Sequence, residues 1–420
     1  SWTAAPAGFT VTTQIGTAVA PVSSTVAWTK ATESATPAGG TDVTKIYSKT
    51  VDGGVTWTSG AITGVGVNTG TSIGGITAVS DQKAWVSAFQ GSNNNLGGVY
   101  ATTNGGASWT RQNSATFSAA GAFPNTIYFW NENNGVVMGD PTDPAGTGFY
   151  FEIYTTANGG ANWTRVPAAN IPAPINDDEY GYTNNIAVAG NTVWFGTSQG
   201  RLYRSTDMGA NWLAFPTPIS DFAATVTGNY SFRDNNVGLF LRNDGTLYNT
   251  TNGGETWAVT PFVGPVFFND IDYIPGTDTV ITSGGTGSSV SFDNGATWTA
   301  IDAFQHVETA FSPTGDGYST GRTTGASAVM FKYNAALGLS DVDAKRVALV
   351  PNPTNGPVEL SGVALNQVDV YDLLGKKVFS QSYNAIENVN LDLSQLRTGA
   401  YILQATTESG AKETLRLLKK

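Results

Sequence analysis

The sequence predicts an all-β protein: a seven-bladed β-propeller closed by its own N-terminal strand, followed by a small β-sandwich. Three observations predict it. An eight-residue pattern, Ser/Thr-x-Asp/Asn-x-Gly-x-Thr/Ser/Asn-Trp, recurs six times and ends at Trp57, Trp109, Trp163, Trp212, Trp257 and Trp298. The copies lie roughly 40 to 55 residues apart, which is one supersecondary unit per repeat. The composition is turn-rich, with 50 Gly, 11 Trp and only 13% charged residues among 420, and beyond about residue 335 the repeat gives way to a different set of alternating apolar runs.

Each copy reads as a tight turn that bonds itself. The Asp or Asn (Asp52, Asn104, Asn158, Asp207, Asn252, Asp293) accepts from backbone a few residues on. The Gly two positions later (Gly54, Gly106, Gly160, Gly209, Gly254, Gly295) supplies a positive φ. The Trp then opens the next strand with a large apolar ring. Apolar runs precede each copy, at Ile46-Tyr47, Val99-Tyr100, Ile153-Tyr154, Leu202-Tyr203, Leu247-Tyr248 and Val290, and further β-like runs lie upstream of those. One repeat is therefore four short strands with the motif joining the third to the fourth, which is a propeller blade.

The ring closes at the N-terminus. Trp2-Thr3 repeats the Trp-Thr that follows four of the motifs, so residues 1–12 read as a stray fourth strand. Residues 306–333 read as three strands without a fourth and without the motif. Together they complete a seventh blade, and closure removes exposed sheet edges.

The motif resembles the Asp-box, or BNR repeat, of sialidases, sortilin-type receptors, xyloglucan-degrading enzymes and photosystem II assembly-factor-like propellers. That superfamily spans enzymes, receptors and assembly factors, so the resemblance implies a fold and leaves the activity open. The stretch around Phe129–Pro141 and Phe149–Trp163, with its Gly139-Asp140-Pro141 turn, is similar to assembly-factor-like propellers. Sialidase activity is not expected: the Arg-Ile-Pro element is missing, and Arg111 and Arg165 fall on outer strands. No Gly-rich strand-to-helix motif supports dinucleotide chemistry. His306, the only histidine, lacks an evident serine partner and reads as a structural strand residue.

The loops point to where a site belongs. In a propeller the loops between second and third strands share one face with the connections between blades, and the repeated turns lie on the other. The second-to-third loops at Glu33–Asp42, Gln90–Gly98 and Asp140–Gly148, and the blade-three-to-four connection Val166–Asn185, are long, and long loops in compact folds carry function. They gather Asp140, Asp143, Asp177, Asp178, Glu179, Tyr180 and Tyr182. These side chains suit sugar hydroxyls, a peptide or a structural calcium ion; no other metal or cofactor is expected. The carboxylates Asp140, Asp143, Asp177, Asp178 and Glu179 are also the candidates for acid–base glycoside hydrolysis, which needs two of them about 5–10 Å apart.

Charge and composition narrow the partners. Acids and bases balance in residues 341–420, so the net charge of −11 belongs to the propeller. Nucleic acid and anionic membranes are not expected partners. The chain contains no cysteine, hence no disulfide. No apolar run is long enough for a membrane helix. No signal peptide is visible at Ser1, so the chain either begins at a mature terminus or never carried one.

The boundaries expected are a propeller over 1–338, a linker over 339–346 and a sandwich over 347–420. The tail's landmarks are Pro351-Asn352-Pro353 with Gly356, then Tyr371-Asp372 with Gly375-Lys376, then Gly399 and Tyr401, between alternating apolar residues. Their order and spacing resemble the type A C-terminal sorting domain of the Bacteroidetes type IX secretion system. That resemblance implies recognition by the secretion machinery through residues 347–420 and export to the outer-membrane surface or the medium. The leading functional expectation is an extracellular module that binds a glycan or protein through its long-loop face. A glycoside hydrolase and a structural surface-layer or filament component are the alternatives.

Overall fold

The computed structural model describes all residues except 34–43, 66–70, 91–96, 120, 147, 326, 336–346 and 409–411. The chain divides into two compact units, Ser1–Asn334 and Ala335–Lys420. The expected linker at 339–346 lies outside the described residues, as do most of the loops expected at 33–42 and 90–98.

The first unit is seven four-stranded antiparallel sheets. β1 (Trp2–Pro6) stands apart in sequence from its sheet. Blade one is β2 (Gln14–Pro21), β3 (Ala27–Glu33), β4 (Ile46–Thr50) and β5 (Thr58–Ala61). Blade two is β6 (Thr71–Ala78), β7 (Ala84–Gln90), β8 (Gly98–Thr102) and β9 (Thr110–Gln112), and blade three is β10 (Pro124–Phe129), β11 (Gly135–Thr142), β12 (Tyr150–Thr156) and β13 (Thr164–Arg165). Blade four is β14 (Gly181–Ala189), β15 (Thr192–Thr197), β16 (Arg201–Ser205) and β17 (Leu213–Pro216). Blade five is β18 (Gly228–Phe232), β19 (Gly238–Arg242), β20 (Leu247–Thr250) and β21 (Ala258–Val259). Blade six is β22 (Asp270–Tyr273), β23 (Val280–Gly284), β24 (Gly287–Ser291) and β25 (Thr299–Asp302). Blade seven is β26 (Gln305–Phe311), β27 (Gly317–Arg322) and β28 (Val329–Tyr333), with β1 paired to β28 from Trp2↔Tyr333 to Pro6↔Val329. The N-terminal strand thus closes the ring.

The repeated turn folds as its residues dictate. In the first copy Thr50 Oγ1 donates to Asp52 Oδ1 (2.8 Å) and accepts from Gly54 N–H (2.9 Å), while Asp52 accepts from Thr56 N–H (2.9 Å). The same three bonds recur in the other five copies, for example at Thr250, Asn252, Gly254 and Thr256. Gly54, Gly106, Gly160, Gly209, Gly254 and Gly295 all have φ between 84° and 93°. The residue before each is also left-handed, and there Met208 and Asn294 take the place of glycine at φ 57°.

The motif tryptophans join blade to blade. Trp109 lies edge-on to Trp28 of the preceding blade at 6.2 Å, Trp163 Nε1 donates to Gln112 Oε1 of blade two (2.8 Å), and Trp57 lies edge-on to Tyr318 of blade seven at 6.0 Å. A Cβ on Gly106 would run into the Tyr47 ring and hydroxyl, so close approach as well as φ favours glycine here.

First strands line the axis, each beside the next around to β26 beside β2. Their outward N–H groups need acceptors, and polar side chains of the adjacent blade provide them. Phe129 N–H donates to Thr77 Oγ1 (3.2 Å) and Tyr273 N–H to Ser231 Oγ (3.1 Å). Thr309 and Phe311 N–H donate to the carboxyls of Asp270 (2.8 Å) and Asp272 (3.1 Å), and Val19 N–H to Glu308 (3.3 Å).

The second unit is a sandwich. One sheet is β29 (Ala348–Val350), β30 (Pro357–Ser361) and β33 (Val389–Asp392); the other is β31 (Leu365–Tyr371) flanked by β32 (Lys377–Ile386) and β34 (Gly399–Thr407), with β35 (Lys412–Lys419) outside β34. Val358, Leu360, Leu365, Val368, Val370 and Leu403 are among the apolar side chains buried between the sheets. The landmark residues hold turns. Asn352 donates to the Arg416 carbonyl (2.6 Å) and accepts from Leu418 N–H (2.9 Å), tying its loop to the last strand. Asp372 accepts from Leu374 and Lys376 N–H, Gly375 takes φ 81°, and Tyr401 donates to the Arg397 carbonyl.

Candidate binding face and central cavity

The blade-three-to-four connection is ordered from beneath. After the short 3-10 turn Ala168–Asn170, the chain crosses blade four, and Glu179 turns inward under it. Its side chain is fully buried. Its two oxygens accept from Thr197 Oγ1 (2.6 Å), Ile175 N–H (2.7 Å) and Arg201, which donates through Nε (3.0 Å) and Nη2 (2.7 Å). Arg201 also donates to the Ala173 carbonyl, and the Tyr203 hydroxyl to that of Pro172. Buried charge is tolerated because every oxygen is bonded. The outer side of this loop is different: Asp177 and Asp178 are exposed, Ile175 is 61% exposed and Tyr180 44%.

Asp140 is not in a loop. β11 continues through Thr142, with a bulge between Gly139 and Pro141 that lets Asp140 turn toward blade four. Its Oδ1 accepts from Asn125 Nδ2 (2.6 Å) and Gly181 N–H (2.9 Å). Burial pushes its pKa up to about 6, those two hydrogen bonds only partly opposing it. Asp143 is half-buried just beyond the strand.

Tyr182 belongs to β14, not to the loop before it. Gly181 pairs with Thr197 and Ile186 with Phe195, so the four residues Tyr182–Asn185 bulge opposite Gly196 alone. The bulge is held at each end. The Tyr182 hydroxyl donates to Asp221, and burial together with that carboxylate raises its pKa. Asn185 Oδ1 accepts from Gly196 N–H (3.0 Å) and the Tyr230 hydroxyl (2.6 Å). Asn184, left-handed at φ 58°, donates to Glu308 of blade seven (2.9 Å).

That bond lies at the loop-face end of a cavity of about 750 Å³ along the axis, lined by the first strands. Its acids are Glu132, Asp270, Asp272 and Glu308. Burial raises Asp270 to about 7 and Glu308 to about 8, and carries Asp272 well above the carboxylate range; Asp270 adds repulsion to the other two. None of these was singled out by the sequence pattern, although a repeated polar residue on first strands was the signal available. Of the sequence-predicted site residues only Tyr182 lines the cavity. Asp140, Asp143, Asp177, Asp178 and Glu179 do not, and Glu179 is closed off by Arg201. No group of acids and His suited to a metal ion occurs among the described residues.

His306 does have a serine partner. Nδ1 lies 2.9 Å from Ser319 Oγ and Nε2 3.2 Å from both Asp302 oxygens. Burial would raise the pKa of Asp302, but hydrogen bonds from His306, Ser288 and Phe304 N–H, with the charge of His306, together hold it low. Both His306 and Ser319 are fully buried, and Trp2 covers the imidazole at 5.2 Å. The arrangement is a strut behind the ring closure, with no room for a substrate.

Residues 348–420 match the family model described as a secretion system C-terminal sorting domain. The tail is a type IX sorting domain. The protein is therefore secreted or displayed at the cell surface, and its tail engages the secretion machinery. Among solved structures the chain is similar to YCF48 bound to a D1 peptide (17% identity, TM-score 0.55, 80% of this chain and 97% of that one). It is also similar to YCF48 from Cyanidioschyzon merolae (15%, TM-score 0.53, 79% and 98%). A GH74 xyloglucanase from Xanthomonas campestris aligns more loosely (12%, TM-score 0.42, 100% and 74%). The two YCF48 likenesses show the propeller fold. The comparison with curated proteins found no match.

Proposed function

We propose that the propeller is an extracellular binding module, delivered to the cell surface or medium by its sorting tail, that takes a polypeptide or glycan on its loop face at blades three and four. One observation carries the reading: the loop at 171–180 is rigidly bonded underneath by Glu179, Arg201 and Tyr203, yet turns Ile175, Asp177, Asp178 and Tyr180 to solvent. A loop held in one shape forms a complex at lower entropic cost. A propeller of similar fold solved with a peptide bound supports the polypeptide class. The hydrolase alternative finds less support, because the candidate carboxylates lie outside the cavity and Glu179 is consumed by Arg201.

The test is a screen of peptide and glycan arrays with the full chain, repeated with an Ile175→Ser/Tyr180→Ala variant. Binding that the double substitution abolishes, with unchanged thermal stability, is the expected result. Binding that survives it removes the loop face as the site.

A further inference from the structure

We infer that the loop-face ledge recognises a cationic polypeptide segment whose basic and apolar side chains lie two residues apart, on one side of the strand. This rests on the proposed binding function and names its partner class. The ledge offers two apolar side chains, Ile175 and Tyr180, beside two exposed carboxylates, Asp177 and Asp178. An extended strand points residues i and i+2 to the same side, so a basic and an apolar residue two apart meet the carboxylates and the apolar pair together.

The sign of the charge follows from what is already paired. Arg201, the cation under the ledge, is consumed by Glu179 and the Ala173 carbonyl. Arg165 of the neighbouring blade donates to Thr142 and lies over the Tyr150 ring at 4.5 Å. The carboxylates facing outward are therefore not neutralised from below, and they belong to a unit that carries the chain's whole net charge of −11. A lysine or arginine partner complements that field and an acidic partner is repelled. The same geometry favours polypeptide over sugar. The carboxylates that are held in fixed orientation, Asp140 and Glu179, already accept from protein donors. Ile175 has nothing to offer a hydroxyl, and Tyr180 turns an edge to Tyr182 at 5.4 Å.

The experiment uses the full chain and three labelled peptides of equal length with the repeat Leu-Ser-X-Ser, X being lysine, glutamine or glutamate, read by fluorescence anisotropy at low and physiological salt. The lysine peptide is expected to bind at least about tenfold more tightly than the glutamine peptide, and less tightly as salt rises. Asp177→Asn/Asp178→Asn is expected to remove that advantage. Ile175→Ser weakens binding without changing its salt dependence. Asp81→Asn/Glu255→Gln takes the same charge from the opposite face and leaves affinity unchanged. The inference is overturned if the glutamate or glutamine peptide binds as well as the lysine peptide, or if the opposite-face variant loses as much. Should none of the three bind while the array screen finds a loop-face ligand, the cationic partner falls and the loop-face reading stands. Array binding that survives Ile175→Ser/Tyr180→Ala ends both.

Discussion

Glu179 and Arg201 form a two-point ion pair, at 3.0 and 2.7 Å, beneath a loop whose upper surface is exposed. The glutamate is fully buried and the arginine side chain is 15% exposed. Removing one partner leaves a buried charge without its counterion, so Glu179→Ala is expected to cost about 3–5 kcal/mol. Glu179→Met/Arg201→Met removes both charges and should cost less than the single change. Urea denaturation of the three proteins decides this.

Stability is expected to fall as pH rises from about 4 to 8. Asp270 is raised from 3.8 to about 7 and Glu308 from 4.5 to about 8. Between those limits the folded protein holds protons that the unfolded chain has released, and stability then decreases with pH. The contribution is complete below the ordinary carboxylate pKa and is lost as pH passes through the raised values. Asp270→Asn and Glu308→Gln should each flatten the slope of melting temperature against pH. An unchanged slope in both would show that neither group titrates there.

Met208→Gly is expected to stabilise the propeller by about 0.5–1 kcal/mol, since a left-handed residue with a Cβ is strained and glycine is not. The gain is read as a higher midpoint in thermal unfolding. Gly106→Ala tests the converse, because its Cβ would meet the Tyr47 hydroxyl and its φ is left-handed; its midpoint should drop.

Ring closure depends on Trp2, whose ring lies against His306 and Tyr333 and whose Nε1 donates to Ser288 (3.0 Å). Trp2→Ala is expected to cost about 3 kcal/mol, the low end for a large aromatic truncated in a core. A chain lacking residues 1–12 should regain stability when a peptide of that sequence is added. No recovery in trans would mean that β1 contributes little to closure.

The repeated turn was legible because its chemistry is local. Thr50, Asp52, Gly54 and Thr56 bond one another within a few residues, so type and spacing suffice to specify blade count and register. The stray Trp2-Thr3 and the tail's Asn352, Asp372 and Tyr401 were legible for the same reason: each stands in a pattern that a turn or strand end requires. Asp140 and Tyr182 were identified but placed in loops, because a bulge that keeps a strand going depends on the partner strand and leaves little trace in sequence.

What only the tertiary structure decided is which acids meet solvent and which meet protein. Asp177, Asp178 and Glu179 are adjacent in sequence, yet two face outward and the third closes on Arg201. Asp270 Oδ2 finds a backbone donor 39 residues away and Glu308 an amide partner 124 residues away. The sequence by itself determined the ring, its closure and its export tail, since those follow from short-range turn chemistry and alternation. The burial and pairing of each carboxylate, and hence the site, arise only when distant strands are brought to one axis, because desolvation and hydrogen bonding are set by neighbours in space.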